Sequence, residues 1–305
     1  MKLGVHFYVT GYTIDPVTIA RAVEEAGFES FWVPEHAVLP TNPTTPFAMT
    51  GGETPRLYGE MADPFVLLSF VAAATTELKL GTGVCIIPER HPLLLAKMIG
   101  TLDNFSRGRL LLGAGLGWMR EEIELFGVDF AQRWSFTRET IEALKALWAN
   151  NGTAAYEGDH VNFPEVIVDP LPAQKPHPPI VLGGLPSDRL WNRIARYGDG
   201  WIAMGAGVDD VRAARQGLTR ACEQIGRDPS GIEISAGVWE LDPALREAYE
   251  EAGADRLIAL LYGHPGDPVP ADKYYEAALQ ACTGKPPTPA ETLSALDRIV
   301  ARARL

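Results

Sequence analysis

The chain of 305 residues is long enough for two average domains, but α/β barrels of this length form one domain. With 46% hydrophobic and 22% charged residues it has the composition of a globular enzyme, and no run reaches the roughly 18–20 apolar residues of a membrane helix. The net charge of −12 excludes nucleic acid and anionic membranes as general partners. Three unclustered cysteines, and a start without the layout of a signal peptide, indicate a cytoplasmic protein.

Eight short apolar runs of the kind that forms buried parallel strands alternate with helical patterns along the chain. They lie near residues 3–7, 30–33, 78–86, 109–113, 180–182, 200–203, 232–236 and 256–261. The first helix opens with the cap Asp15 followed by Pro16, and the last opens with a capping-box pattern from Thr288 to Glu291. The alternation predicts one domain over 1–305, a (β/α)8 TIM barrel of the α/β class; an open doubly wound sheet is the competing fold.

Two stretches are too long for the minimal repeat. Residues 34–60 are rich in proline and glycine, and residues 150–178 contain a hairpin-like segment at 153–163 before a proline-rich return. Long βα connections of a barrel lie at its C-terminal mouth, where active sites are found. We therefore expect both insertions to form walls or lids of a site.

Ionisable residues at strand ends are the first candidates for chemistry. Glu35 and His36 come directly after the second predicted strand, where a histidine that titrates near neutral pH suits proton transfer; a structural histidine is the alternative. His6, on the first strand, points into the barrel or only packs there. His91 precedes a helix that begins at Pro92 and is interpreted as a cap or loop residue. The remaining histidines lack the spacing of metal ligands, so no metal site is predicted.

Glycines interrupt or follow three of the predicted strands. Gly81 and Gly83 interrupt the third, which usually marks a bulge or the close approach of another group to the backbone. Residues 113–117 have G-x-G-x-G spacing, which is a weak match to a dinucleotide motif. The glycine pair at 183–184 precedes a helix, whose free N–H groups hold an anion such as phosphate unless the pair is only a tight turn.

Several segments together resemble the bacterial-luciferase-like superfamily, and within it the actinobacterial oxidoreductases that use coenzyme F420. The segments, in the family's order, are AGFESFWVPEH (26–36), LGTGV (80–84), HPLLLAK (91–97), LDNFSRGR (102–109), LGAGLGWMREE (112–122), FGV (126–128) and PIVLGG (179–184). The last third of the chain matches only through residues 253–256. The resemblance implies a TIM-barrel enzyme that binds a flavin or a deazaflavin, commonly as a homodimer.

The resemblance also implies which residues hold the cofactor. In this superfamily a non-proline cis peptide on the third strand supports the cofactor ring, and the matching bond is Gly83–Val84. Glycine on its first side lets a planar ring approach the backbone. The other cofactor-binding residues implied by the family are His36, Gly115, Gly117, Gly183, Gly184 and Ser187. Of these, the 115–117 segment leaves room along the ring and the last three hold the phosphate.

The implied reaction is hydride transfer between coenzyme F420 and an unidentified, apolar, conjugated small molecule. Trp118 stands where the sugar-phosphate dehydrogenase branch has a general-acid glutamate, so we expect Trp118 to form an apolar substrate wall instead. His36 or Glu35 then transfers the proton. The anionic cofactor tail needs local cations, unless these are solvated surface charges: Arg90, Arg120, Lys175 and Arg189.

Three alternatives remain open. The nearest is an FMN-dependent monooxygenase of the same superfamily. The second is a metal-free barrel hydrolase with paired carboxylates, namely Glu35 with Glu60, Glu89 or Glu240. The third is a non-catalytic flavin-binding barrel, which binds cofactor and tolerates the loss of His36.

Overall fold

The computed structural model describes residues 1–304, except for the side chain of Ala271. Eight parallel strands form a closed barrel, which confirms the predicted fold. The barrel closes because its last strand, residues 256–260, pairs with its first strand, residues 2–6, and because residues 80–81 pair with residues 110–111. The strands are β1 (Lys2–His6), β2 (Ser30–Val33), β3 (Lys79–Thr82) continued by β4 (Cys85–Ile86), β5 (Leu110–Gly115), β8 (Ile180–Gly183), β9 (Gly200–Met204), β10 (Glu233–Val238) and β11 (Arg256–Leu260). Two further strands, β6 (Thr153–Glu157) and β7 (Asn162–Ile167), form a separate antiparallel hairpin.

Helices follow the barrel strands and cover them from outside. The surrounding helices are α1 (Pro16–Glu25), α2 (Pro64–Ala74), α3 (Pro92–Phe105), α5 (Arg133–Ala149), α6 (Asp188–Tyr197), α7 (Val208–Gln224), α8 (Pro243–Ala252) and α10 (Pro289–Ala303). Two additional helices, α4 (Arg120–Leu125) and α9 (Tyr274–Thr283), lie in the connections after β5 and β11. Among the described residues, no helix is both long and apolar enough to cross a membrane.

The predicted helix starts are confirmed by their side-chain caps. The Asp15 carboxylate accepts hydrogen bonds from two backbone N–H groups of the first turn of α1, and Thr288 and Glu291 form the reciprocal capping box of α10. His91 is the N-cap of α3, where its Nδ1 accepts from the Leu93 N–H at 3.3 Å. The interpretation of His91 as a cap is therefore confirmed.

A tryptophan in the barrel explains the first glycine of the third strand. Trp32 is fully buried, and its indole Nε1 donates to Ser30 Oγ at 2.8 Å. A Cβ on Gly81 would lie 2.3 Å from ring atoms of Trp32, far inside van der Waals contact. Gly81 is therefore required by the protein's own packing, which leaves Gly83 as the glycine that faces a site.

The two long insertions lie at opposite ends of the barrel. Residues 34–60 follow β2 and reach the C-terminal mouth, as expected. The stretch 150–178 was expected at the same mouth, and this is corrected: its hairpin follows helix α5, so it belongs to an αβ connection at the N-terminal end. Asn104, at the end of α3, donates to the Leu171 carbonyl at 3.0 Å and ties the return segment to that end.

Candidate active site

A cavity of about 520 Å³ opens at the C-terminal end of the barrel. It brings together ten of the residues that the sequence singled out: His6, Glu35, His36, Gly83, Val84, Gly115, Gly117, Trp118, Gly183 and Gly184. Ser187 lies outside the lining, at the N-terminus of α6, where its Oγ accepts a hydrogen bond from the Leu190 N–H at 3.2 Å. The insertion 34–60 contributes Met49 and Tyr58 to the wall.

The floor of the cavity is the break between β3 and β4. The peptide bond Gly83–Val84 is cis, at the place that the resemblance indicated. The Val84 side chain rests against two neighbouring strands: a Cβ on Gly115 would lie 2.3 Å from Val84 Cγ2, and one on Gly183 would lie 3.0 Å from Val84 Cγ1. These two glycines therefore make room for Val84, and Val84 in turn presents an apolar surface to the cavity.

His6 lies next to this floor and lines the cavity as well. It is 2% exposed, and its Nε2 is 3.4 Å from the Gly83 carbonyl oxygen. Burial lowers the pKa of His6 to about 4, so the ring is neutral at pH 7 and Nε2–H can donate to that carbonyl. A Cβ on Gly83 would lie 3.3 Å from the same ring. His6 thus contacts the backbone of the floor at Gly83.

His36 faces the cavity from the end of β2 and is held by a carboxylate that the sequence analysis missed. Its Nδ1 lies 2.6 Å from Glu122 Oε2, and the Glu122 side chain is fully buried. The pattern that could have revealed Glu122 is helical: with Met119 and Ile123 it occupies positions i, i+3 and i+4, so it lies on the buried face of α4. A glutamate on an apolar face needs a partner, and here that partner is His36.

Aromatic rings enclose the space in front of His36. The ring centroid of Tyr58 lies 4.9 Å from that of His36, and the Trp118 centroid lies 5.7 Å away. Phe47 packs edge-on against both Tyr58 and Trp118, at 5.1 and 5.6 Å. Burial raises the pKa of Tyr58, so its phenol stays neutral at ordinary pH. The wall is apolar, with a phenol able to donate a hydrogen bond.

Glu35 lines the cavity, but its carboxylate is already engaged. It forms an ion pair with Arg90 and accepts from the Ile86 N–H at 2.6 Å. Burial raises the pKa of Glu35, whereas Arg90 acts in the opposite direction. Arg90 also pairs with Asp63 at 2.9 Å, so this guanidinium is not free for a ligand. Glu35 therefore joins the end of β2 to β4.

The carboxylates considered for hydrolysis do not form a pair in the cavity. Glu60 bonds Arg56 at 2.7 Å and Glu240 bonds Arg302 at 2.7 Å; of the four, Glu35 is the one that lines the cavity. A hydrolase needs two carboxylates about 5–10 Å apart across the scissile bond. The described residues also contain no group of three or more His, Cys, Asp or Glu placed to hold a metal ion.

The cations proposed to bind an anionic cofactor tail differ in their position and in whether they are already paired. Arg120 pairs with Glu124 at 3.0 Å, and Lys175 belongs to the connection at the N-terminal end, away from the mouth. Arg189 is in the first turn of α6 and lines a groove of about 910 Å³ between α5 and α6, together with Arg193 and Arg196. In the part of the chain that the structure describes, the three groove arginines Arg189, Arg193 and Arg196 form no ion pair.

Comparison with known proteins identifies the family. The model of the luciferase-like monooxygenase family matches residues 14–284. The Mycobacterium tuberculosis (strain ATCC 25618 / H37Rv) protein Rv0953c is 36% identical over 211 residues, which cover 68% of this chain and 74% of that protein. The F420-dependent hydroxymycolic acid dehydrogenase of the same organism is 28% identical over 240 residues, or 76% of this chain and 61% of that one.

A solved structure with the same fold binds a different cofactor. The oxygenating constituent of 3,6-diketocamphane monooxygenase from Pseudomonas putida, in complex with FMN, has a TM-score of 0.59 and 19% identity, covering 79% of this chain and 68% of that chain. The family thus includes F420-dependent and FMN-dependent enzymes. The chain described here belongs to the luciferase-like monooxygenase family.

Proposed function

We propose that this protein is an oxidoreductase that transfers hydride between coenzyme F420 and a small, apolar, conjugated molecule. The observation that carries the proposal is the cavity itself, whose lining combines the apolar surface of Val84 with the imidazole of His36. The similarity to an F420-dependent dehydrogenase supports the choice of cofactor. Three free, buried cysteines support a cytoplasmic location, where thiols stay reduced.

The residues of the floor fit a planar ring. Val84 fills the space beside Gly115 and Gly183 and makes the surface apolar, and Gly117, two residues after β5, also lines the cavity. At the far side, Gly184 and Ser187 lie at the exposed N-terminus of α6, whose free N–H groups would hold a phosphate. Bound there, the deazaflavin would supply the hydride chemistry, and the protein would supply position and protonation.

His36 is the residue that we assign to proton transfer. With Nδ1–H donated to Glu122, the imidazole presents Nε2 to the cavity, where it can give a proton to a substrate oxygen or take one away. Such a group contributes roughly 10²–10⁴-fold to a rate. Glu35 is engaged with Arg90 and the Ile86 amide, so we assign it a positioning role rather than a catalytic one.

The aromatic wall defines the class of substrate. Trp118 and Tyr58, with Phe47 packed against them, form one side of the space in front of His36, and Tyr274 and Tyr275 from α9 line another part of the cavity. Rings of this kind favour flat, apolar molecules and exclude water from the reacting atoms. We assign Trp118 to substrate binding.

The test is a binding titration with oxidised coenzyme F420 and, in parallel, with FMN, followed by fluorescence of the tryptophans that line the cavity. Micromolar affinity for F420 with FMN much weaker is the expected result. A preference for FMN would assign the protein to the FMN-dependent monooxygenases, and binding of neither would refute a cofactor site. His36→Gln should lose hydride transfer even at saturating F420, where any weaker cofactor binding is overcome; if transfer persists there, His36 is not the proton-transfer residue.

We also propose that the protein is a homodimer. Helix α2 is apolar on almost every face, and helices of that kind are normally covered on all sides. Yet Val66 and Phe70 on α2, and Leu94 and Phe105 on the neighbouring α3, are exposed on the barrel surface. A second copy of the chain, docked on these two helices, would cover them.

A further inference from the structure

The middle of the insertion 34–60 is tied to helix α4 by hydrogen bonds that converge on one carboxylate oxygen. Glu121 Oε1 accepts from the Thr44 N–H at 2.7 Å, from the Thr44 hydroxyl at 2.6 Å and from the Thr45 N–H at 3.1 Å. In return, the Arg120 N–H donates to Thr45 Oγ1 at 3.3 Å. Two consecutive loop residues are therefore fixed to the first turn of α4.

Glu121 binds the loop as a charged acceptor. Burial opposes its ionisation, but the hydrogen bonds from Thr44 and Thr45 outweigh burial and lower the pKa of Glu121 to about 2. Hydrogen bonds to an ionised carboxylate are roughly twice as strong as those between neutral groups. We refer to the hydrogen bonds from Thr44 and Thr45 to Glu121 as the Glu121 contact.

The insertion has little internal packing that could replace this contact. In the run 41–54, every residue of which the structure describes, Phe47 is the one buried side chain. A space of about 930 Å³ lies inside the insertion, between residues of the stretch 39–46 and residues of the stretch 52–60. The position of the loop therefore depends mainly on Phe47 and on the Glu121 contact.

Phe47 connects the contact to the wall of the cavity. It lies two residues after Thr45, and its ring packs edge-on against Tyr58 at 5.1 Å and Trp118 at 5.6 Å. Both of those rings line the cavity. Moving the loop away from α4 would therefore withdraw Phe47 and remove the support behind the aromatic wall.

The next residue of the same helix holds His36 independently of this contact. Glu122 Oε2 lies 2.6 Å from His36 Nδ1, and Glu122 Oε1 accepts a longer hydrogen bond from the Val38 N–H at 3.5 Å. Two adjacent glutamates thus hold different parts of the insertion: Glu122 its start and Glu121 its middle. Breaking the Glu121 contact would free the middle of the loop and leave the imidazole in place.

We propose that Glu121 is a positioning residue that closes the insertion 34–60 over the cavity and so retains the molecules bound there. When the Glu121 contact breaks, residues 41–50 move away from α4 and the cavity opens to water, while His36 stays bonded to Glu122. For its effect on bound molecules this inference rests on the proposed function, but the closure is a property of the protein alone.

Hydrogen–deuterium exchange of the protein alone measures the closure. Because the Thr44 and Thr45 amides donate to a charged group, peptides that cover 41–50 should exchange at least roughly tenfold faster in Glu121→Ala than in the wild type. Peptides that cover β5 should exchange at the wild-type rate. Unchanged exchange at 41–50 would overturn the proposal. Faster exchange in β5 as well would also overturn it, since Glu121 would then only stabilise the fold.

Glu124→Ala is the matched control. Glu124 lies on the same helix, but its carboxylate pairs with Arg120 at 3.0 Å instead of with the loop. This variant should leave exchange at 41–50 as it is in the wild type. Accelerated exchange there would mean that any loss of charge on α4 loosens the loop, which would refute a specific role of Glu121.

Thr44→Ala tests whether the two sides act through one contact. It removes the hydroxyl donor at an exposed loop position and keeps both amides, so it should raise exchange at 41–50 less than Glu121→Ala does. Combined with Glu121→Ala it should add nothing. Additive effects would refute a shared contact. Should Glu121→Ala fail to fold, Thr44→Ala decides alone, and wild-type exchange in it would refute the proposal.

Release of oxidised coenzyme F420, followed by stopped-flow fluorescence, relates the closure to the cavity. F420 should leave Glu121→Ala faster than it leaves the wild type or Glu124→Ala, by about the factor seen in exchange, because both processes pass through the open loop. Equal release from all three proteins would refute closure over the cavity. A wild type that binds no F420 would instead refute the proposed function, and the exchange of residues 41–50 would still decide on the Glu121 contact.

Discussion

At the scale of single residues, the cavity floor requires glycine at two positions of β5, because a larger side chain would not fit there. A Cβ on Gly113 would lie 1.9 Å from the Thr82 carbonyl oxygen, and one on Gly115 would lie 2.3 Å from Val84 Cγ2. Distances this short do not occur between real atoms, so both glycines are needed for β3 and β4 to bend against β5. A Cβ at Gly113 would clash with a backbone atom, whereas a Cβ at Gly115 would clash with a side chain.

This difference gives a prediction about stability. Gly115→Ala should cost about 1–3 kcal/mol of unfolding free energy, as overpacking usually does, and Gly113→Ala should cost more because backbone cannot rotate away. Adding Val84→Ala should restore part of the loss in Gly115→Ala and little of it in Gly113→Ala. Urea denaturation of the single and double variants measures both effects.

Gly231→Ala is the control for these variants. A Cβ at Gly231 meets no atom within 4 Å, so alanine there should be neutral or slightly stabilising, because it restricts the unfolded chain. If Gly113→Ala and Gly231→Ala unfold at the same urea concentration, close packing at the floor is not what requires glycine.

Glu122 shows why residue patterns identified only part of the site. Glu121 and Glu122 are adjacent and chemically identical, yet the first is held by a loop and the second is buried against His36. Which of them faces inward depends on the position of α4, and a helix of six residues is too short for its periodicity to be read with certainty. Glu35 and His36 could be predicted because they follow directly from the end of a strand.

At the scale of whole elements, the strands could be predicted from the sequence, but the end of the barrel at which each insertion lies could not. Buried parallel strands are continuous apolar runs, so all eight could be recognised in the sequence. The hairpin of β6 and β7 was also recognisable. Whether it lies at the C-terminal or the N-terminal end of the barrel depends on whether it comes before or after the helix of its repeat, and it comes after α5. Helix α9 lies after β11, where the resemblance was weak, and its contribution to the lining was missed.

Helix α6 makes a prediction about the cofactor tail. Arg189 and Arg193 are four residues apart, and Arg196 follows three later; like charges at these spacings repel and destabilise a helix. On a chain of net charge −12, unpaired arginines along one helix indicate a place for an anion. Arg189→Gln and Arg193→Gln, in the half of α6 nearer the mouth, should each weaken F420 binding by roughly 1.5–5-fold, the range of a surface ion pair of 0.2–1 kcal/mol.

The controls distinguish binding of the anionic cofactor tail from binding of the deazaflavin ring. A deazaflavin that lacks the anionic tail should bind the wild type and both variants equally, and added salt should reduce the difference seen with F420. Arg220→Gln, which changes an exposed arginine on α7 outside the groove, should bind F420 as the wild type does. Equal losses in all three variants would mean that net charge, and not the groove, attracts the cofactor.

At the scale of the whole molecule, the surface of the barrel is uneven. Most exposed apolar side chains stand alone, which is normal for a folded protein. On α2, however, Val66 is 60% and Phe70 57% exposed on a helix that carries no charged residue at all. Together with Leu94 and Phe105 of α3, they form an apolar surface on two adjacent helices, of the kind that usually marks an interface.

If a second copy covers this surface, one charge placed within it should separate the two. Phe70→Asp would bury an unpaired carboxylate in the interface, which costs several kcal/mol, whereas the isolated chain would keep it in water. Light scattering coupled to size exclusion should therefore give about twice the chain mass of 33.2 kDa for the wild type and the single mass for the variant. Ile225→Asp, at an exposed isoleucine directly after α7, which packs between α6 and α8, should leave the mass doubled. A wild type that elutes as a single chain at micromolar concentration would require another explanation for the apolar face of α2.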